Sequence, residues 1–175
     1  MSSESTRPLA IITGGSRGLG FEVAKALTLQ GFDLALIAKD AQRLESAAQL
    51  LRDADTHQNG TSTTLISTYA CDLEQPRLVR ELIDSLNQSL ATPTVLVLAH
   101  GVMSEKMSKT LKTNDAEWRR VMAINLDSVF QLVNGIAPAM ADARNGRVII
   151  FSACLGRMSG PGNAGGLAPY RISKA

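Results

Sequence analysis

Thr13-Gly14-Gly15-Ser16-Arg17-Gly18-Leu19-Gly20 stands between a short apolar run at residues 8–12 and an amphipathic stretch at 18–30. The run reads as a buried strand, and the stretch as a helix with Phe21, Val23, Ala24 and Leu27 apolar. The glycines therefore occupy a strand-to-helix turn. Such a turn directs the free N–H groups of the helix start outward, and the helix dipole there favours an anion. Glycine permits the tight reversal and lets the backbone approach a phosphate with no Cβ between them. The spacing is Gly-x-x-x-Gly-x-Gly, which differs from the Gly-x-Gly-x-x-Gly of the commonest dinucleotide turn. A turn that serves only chain reversal is the plain alternative; its position after the first strand favours phosphate binding.

Working outward, apolar and amphipathic stretches alternate along the whole chain. Residues 33–38 (DLALIA) predict a second strand, and 42–52 a helix with Leu44, Ala47, Ala48 and Leu51 on one face. A polar loop at 57–60 leads to a strand at 63–70 rich in β-branched residues. Residues 76–90 form a helix with proline in its first turn, and 94–99 (TVLVLA) a strand buried on both faces. One long helix is expected over 115–140, another buried strand over 147–151, a glycine-rich loop over 159–166, and the start of a further helix before Ala175. Five strands alternating with helices imply an α/β fold with a doubly wound parallel sheet, because right-handed crossovers place helices on both faces. No repeat, low-complexity tract or linker divides the chain, so residues 1–175 are expected to form a single dinucleotide-binding domain.

The bulk composition narrows the function classes. With 45% hydrophobic and 19% charged residues, the chain has the balance of a globular domain. A net charge of +2 is too slight to argue for nucleic acid or a membrane surface. Cys71 and Cys154 read as small apolar residues of a reducing compartment, and with His57 and His100 far apart no metal set is expected. No apolar run is long enough to span a bilayer, and residues 1–7 are polar with no signal-peptide core, so the expected location is cytoplasmic.

The turn Thr-Gly-x-x-x-Gly-x-Gly resembles the cofactor turn of the short-chain dehydrogenase/reductase family. Cys71-Asp72-Leu73 resembles the segment whose aspartate bonds the adenine amino group. Asn125 matches the catalytic asparagine, and Tyr170-Arg171-Ile172-Ser173-Lys174 the Tyr-x-x-x-Lys pair. Four matches in order and spacing cover essentially the whole chain. The resemblance implies a Rossmann-type sheet, incomplete at the C-terminus, and an NAD(P)(H)-dependent oxidoreductase moving hydride between the nicotinamide and a carbonyl or alcohol. It places Gly14, Ser16, Arg17, Gly18, Leu19, Gly20, Lys39, Asp72, Leu73, Gly101, Tyr170 and Lys174 around the cofactor. Tyr170, Lys174, Asn125 and Ser152 become the catalytic candidates. Tyr170 and Lys174, four residues apart, share one helix face. A phenol normally titrates at about 10, and a nearby ammonium lowers that value, making tyrosine a usable acid at neutral pH. By resemblance Tyr170 protonates the carbonyl oxygen, Lys174 also holds the nicotinamide ribose, and Asn125 anchors a water linking Lys174 to solvent.

The sequence departs from the family pattern in three places. Where the catalytic serine normally stands there is Ala153; Ser152 is one position earlier, on the opposite side of an extended chain, and Ser159 is a more distant substitute. The fourth strand ends Leu98-Ala99-His100-Gly101 in place of Asn-Asn-Ala-Gly, and His100 reads as a satisfied structural histidine ahead of a polar group near the cofactor. The chain also stops directly after the Tyr-x-x-x-Lys motif, which reads as a C-terminal truncation. Cofactor choice turns on the end of the second strand. Ala38 takes the place of a ribose-binding acid, while Lys39 and Arg17 favour a 2′-phosphate, so NADP(H) is preferred over NAD(H). Asp40 complicates this, since a shift of two residues makes it the ribose acid. A 3-oxoacyl-thioester reductase and a general ketone or aldehyde reductase both remain open, as do a non-catalytic NADP(H)-binding or sensor protein and an inactive fragment. A homo-oligomer is implied by the resemblance alone.

Overall fold

The computed structural model describes residues 7–59, 64–105, 110–157 and 167–175. Five parallel strands, β1 (Leu9–Thr13), β2 (Asp33–Ala38), β3 (Ile66–Ala70), β4 (Val95–Leu98) and β5 (Arg147–Ile150), lie in the order β3-β2-β1-β4-β5. In β1, Ile11 faces Ala35 of β2 and Leu96 of β4, while Thr13 faces Ile37 and Leu98. Because side chains alternate along a strand, each central strand feeds two cores. On one face Ile11, Ile37, Leu96 and Leu98 pack with α3 (Pro76–Ser89) and α5 (Ser128–Asp142), through Val79, Leu86, Leu132 and Ile136. On the other, Ala10, Ile12, Leu34 and Leu36 pack with α1 (Gly18–Leu29) and α2 (Ala41–Asn59), through Ala24, Leu44, Ala48 and Leu51. This is the doubly wound sheet expected from the alternation.

Some boundaries differ for physical reasons. Helix α2 runs on to Asn59 through the stretch expected to be a polar loop, with Gly60 outside the described residues. β3 begins only at Ile66: Thr64 N is held by the Asp55 carboxylate and Leu65 N by that of Asp33, while Leu65 O accepts from Leu34 N of β2 at 2.8 Å. The single helix expected over 115–140 is α4 (Asp115–Met122), a π-turn (Ala123–Asp127) and α5. β5 is not buried as expected. It forms the sheet edge, pairs with β4 alone, and leaves Val148, Ile149 and Ile150 between 38 and 52% exposed. Two short helices follow, α6 (Cys154–Arg157) and α7 (Ala168–Ser173). Ser159 and the loop 159–166 lie outside the described residues. No helix among the described residues is long and apolar enough to cross a membrane.

Candidate functional site

In a doubly wound sheet the crevice opens where neighbouring strands send their connections to opposite faces, here between β1 and β4. A cleft of about 430 Å³ lies at the carboxyl ends of β1, β2 and β4, lined by the glycine turn, the start of α2, Cys71–Leu73 and the His100–Val102 segment. The turn is pulled onto the sheet by Gly14 N and Gly15 N, which donate to Ile37 O at 2.8 and 3.3 Å. Gly14 and Gly18 adopt left-handed backbone, φ +68° and +58°, where a side chain is strained. Gly20 lies behind the lining: a Cβ there would sit 2.4 Å from Gly14 O. Of the cofactor candidates, Gly14, Ser16, Arg17, Gly18, Leu19, Lys39, Asp72, Leu73 and Gly101 line the cleft, Gly20 shapes it from beneath, and Tyr170 and Lys174 are not among the lining residues.

Three cations border the outer end. Arg17 is exposed and makes no ion pair among the described residues. Lys39 Nζ lies 2.7 Å from Asp72 Oδ2, and that hydrogen bond and charge raise its pKa. Arg43, missed by the sequence reading, also faces the cleft. Asp40 lines the cleft as well. Its Oδ1 accepts from Arg43 N at 2.9 Å, capping α2, and its Oδ2 lies 3.4 Å from the Arg43 guanidinium. Placing Asp40 as the cap of α2 would have brought Arg43, three residues on, to the cleft.

Two of the catalytic candidates, Asn125 and Lys174, meet at Gly101. Asn125 sits in the π-turn, a distortion that recurs at functional sites because it re-aims one side chain out of helical register. It is buried, accepts from Val102 N at 2.8 Å, and donates to Val102 O at 2.9 Å and Ser173 Oγ at 3.0 Å. Its amide thus ties the strand β4 loop to α7. Lys174 is also buried; Nζ donates to His100 O at 3.2 Å and Phe151 O at 2.9 Å, just past β4 and β5. Burial lowers its pKa. A Cβ on Gly101 would lie 3.1 Å from that nitrogen, so glycine keeps the approach open. Tyr170, half-buried, lies within α7, which ends at Ser173 with Lys174 as its C-cap. Ser152 Oγ donates to Lys174 O at 2.6 Å, so its only proton holds the end of α7.

His100 is the satisfied histidine the sequence favoured, and it also lines the cleft. Nδ1 lies 2.5 Å from Thr13 Oγ1, and Nε2 2.9 Å from Ser128 Oγ and 3.0 Å from Ile124 O. Burial, then the Lys174 charge, push its pKa down to about 4. Cys71 is buried at the cleft wall with its thiol pushed up to about 11, chiefly by burial; Cys154 is exposed, and neither forms a disulfide. No cluster of metal-ligating side chains exists among the described residues.

Comparison with known proteins agrees with this geometry. The chain is 29% identical over 167 residues to the 3-oxoacyl-(acyl-carrier-protein) reductase of Escherichia coli, covering 95% of this chain and 62% of that protein. It is 26% identical to the Chlamydia trachomatis reductase of the same name, over 100% of this chain and 65% of that one. It thus spans somewhat under two thirds of the length of these relatives. A metagenomic short-chain oxidoreductase solved in complex with NADP superposes with a TM-score of 0.82 at 28% identity, over 95% of this chain and 70% of that one. The L-sorbose reductase of Gluconobacter frateurii, at 21% identity and the same TM-score, shares the fold over 96% of this chain and 59% of its own. The profile of the short chain dehydrogenase family matches residues 8–175, and the chain belongs to that family.

Proposed function

We propose that the protein is an oxidoreductase that binds NADP(H) in preference to NAD(H) and moves hydride between it and a carbonyl or alcohol. The observation that carries this reading is the seat of α7: Asn125 and the carbonyls beyond β4 and β5 hold Ser173 and Lys174 beside Gly101, at the inner end of the phosphate-binding cleft. The cleft fits a dinucleotide. Its glycine turn carries no Cβ at Gly14, Gly15, Gly18 and Gly20, with open space over Gly18, and the first turn of α1 carries no acid to repel a pyrophosphate. Arg17, Lys39 and Arg43 suit a 2′-phosphate, while Asp40, which also lines the cleft, caps α2 and pairs with Arg43. The NADP and NADPH bound in the two solved relatives point the same way.

The bound nicotinamide supplies the hydride for the carbonyl carbon. Tyr170 donates its hydroxyl proton to the carbonyl oxygen and is left a phenolate, which the Lys174 ammonium stabilises. Lys174 is held by two carbonyl oxygens in a buried place, where its charge is felt more strongly than in water. Asn125 acts as the post joining α7 to the Gly101–Val102 loop. Ser152 fixes the end of α7, which leaves carbonyl polarisation to Tyr170. Free cysteines fit a cytoplasmic location. The exposed Trp118, Leu126 and Phe130 of the α4–α5 run fit a homo-oligomeric contact there. NADPH oxidation with a panel of ketones, aldehydes and 3-oxoacyl thioesters tests the reading: Tyr170→Phe abolishes turnover while NADPH still binds. Retained turnover refutes the role of Tyr170, and NADPH binding without any turnover by the unaltered protein favours a non-catalytic sensor.

A further inference from the structure

We infer that His100 is a positioning residue whose imidazole pins the glycine turn to the π-turn of Asn125 and so aims the His100 carbonyl at the Lys174 ammonium. The inference rests on the role given to Lys174 above. His100 stands where the family resemblance has alanine, and the two asparagines before it are replaced by Leu98 and Ala99.

The bonding pattern fixes the ring. Ile124 O only accepts, so Nε2 carries the proton that it shares with Ser128 Oγ. Ser128 in turn donates to Ile124 O at 2.8 Å. Nδ1 is then the acceptor for the Thr13 hydroxyl at 2.5 Å, a closer partner than Val97 O at 3.4 Å. One side chain thus joins the last residue of β1, where the cofactor turn begins, to the residues flanking Asn125. The backbone of the same residue packs against Gly14, whose Cβ would lie 3.0 Å from His100 N, and its carbonyl receives Lys174 Nζ at 3.2 Å. Asparagine or glutamine is too short or too narrow to reach both ends. Lys174 is the charged group bearing on the ring, and burial together with that charge disfavours a second proton.

The test uses Thr13→Val, Thr13→Ser, His100→Phe and the double variant Thr13→Val/His100→Phe in the complete chain. Losing one buried hydrogen bond is worth about a factor of ten, so Thr13→Val and His100→Phe each lower kcat about tenfold with KM for NADPH nearly unchanged. Thr13→Ser, which keeps the hydroxyl, restores the rate. The double variant loses no more than either single one, because both cut the same bridge. Losses that multiply to about a hundredfold, or a fall confined to KM, overturn the inference. A second readout needs no turnover. In ¹⁵N-labelled protein, with His57→Gln to assign the two histidines, His100 shows a neutral Nε2–H ring that does not titrate from pH 5 to 8. A ring protonated on Nδ1, or one titrating near its ordinary value, refutes the pin even if the protein proves to have no reductase activity.

Discussion

Stability should fall on mild acidification because of one side chain. His100 is buried beside the Lys174 ammonium, and burial first, then that charge, keep the native ring from taking a second proton until about pH 4. The unfolded chain takes that proton at the ordinary value of 6.5. Between these limits the unfolded state binds more protons, so stability rises with pH across the window and is lost as pH falls through it. At 1.36 kcal/mol per pH unit the loss amounts to about 3 kcal/mol, a large share of a domain stability of roughly 5–15 kcal/mol. Urea unfolding followed by circular dichroism at half-unit steps from pH 7.5 to 4 measures it. Glu45 and Glu117, whose pKa values are lowered by their arginine partners, add a loss at the acid end, so the informative quantity is the difference from His100→Phe. That variant is offset by lost hydrogen bonds at every pH, but its curve is flatter between pH 6.5 and 4. Parallel curves would refute the reasoning, since they would mean the ring is protonated equally easily in both states.

Two further outcomes follow from the cleft. Lys39→Ala and Arg43→Ala each weaken NADPH binding about tenfold, the lower end for a charge-assisted hydrogen bond at an exposed site. NADH binding changes little in either variant, as read by quenching of Trp118 or by nicotinamide fluorescence, and equal losses for both cofactors would remove these residues from the 2′-phosphate. Gly20→Ala drives a methyl group against the Gly14 carbonyl, which has nowhere to yield without opening the turn. It costs about 1–3 kcal/mol in thermal unfolding and most of the NADPH affinity, and a variant that melts and binds like the parent contradicts the packing described.

Much of this protein was legible in the order of its residues. Apolar runs such as 33–38 and 94–99 are continuous because central parallel strands are buried on both faces, and the helices between them carry one-sided stripes such as Leu44, Ala47, Ala48 and Leu51. Those periods are local, so the strand count, the parallel sheet and the glycine turn needed no coordinates. The spacing of Tyr170 and Lys174 was local too. What the tertiary structure decided are contacts between residues far apart in the chain. The π-turn at Asn125 is invisible in a helix-period sequence, since it shows only where the Asn125 side chain meets Val102 and Ser173. The exposure of β5 depends on which strands lie beside it, and no property of Val148, Ile149 and Ile150 encodes that. Asp40 and Lys39 are adjacent and charged, and both line the cleft; only their partners, Arg43 N for one and Asp72 for the other, tell the helix cap from the lysine tied to the segment after β3. His100 could be read as a buried, satisfied ring, but its partners come from β1 and α5, brought together by the sheet order. Burial and pairing of polar groups are set by distant neighbours, and there the sequence alone falls silent.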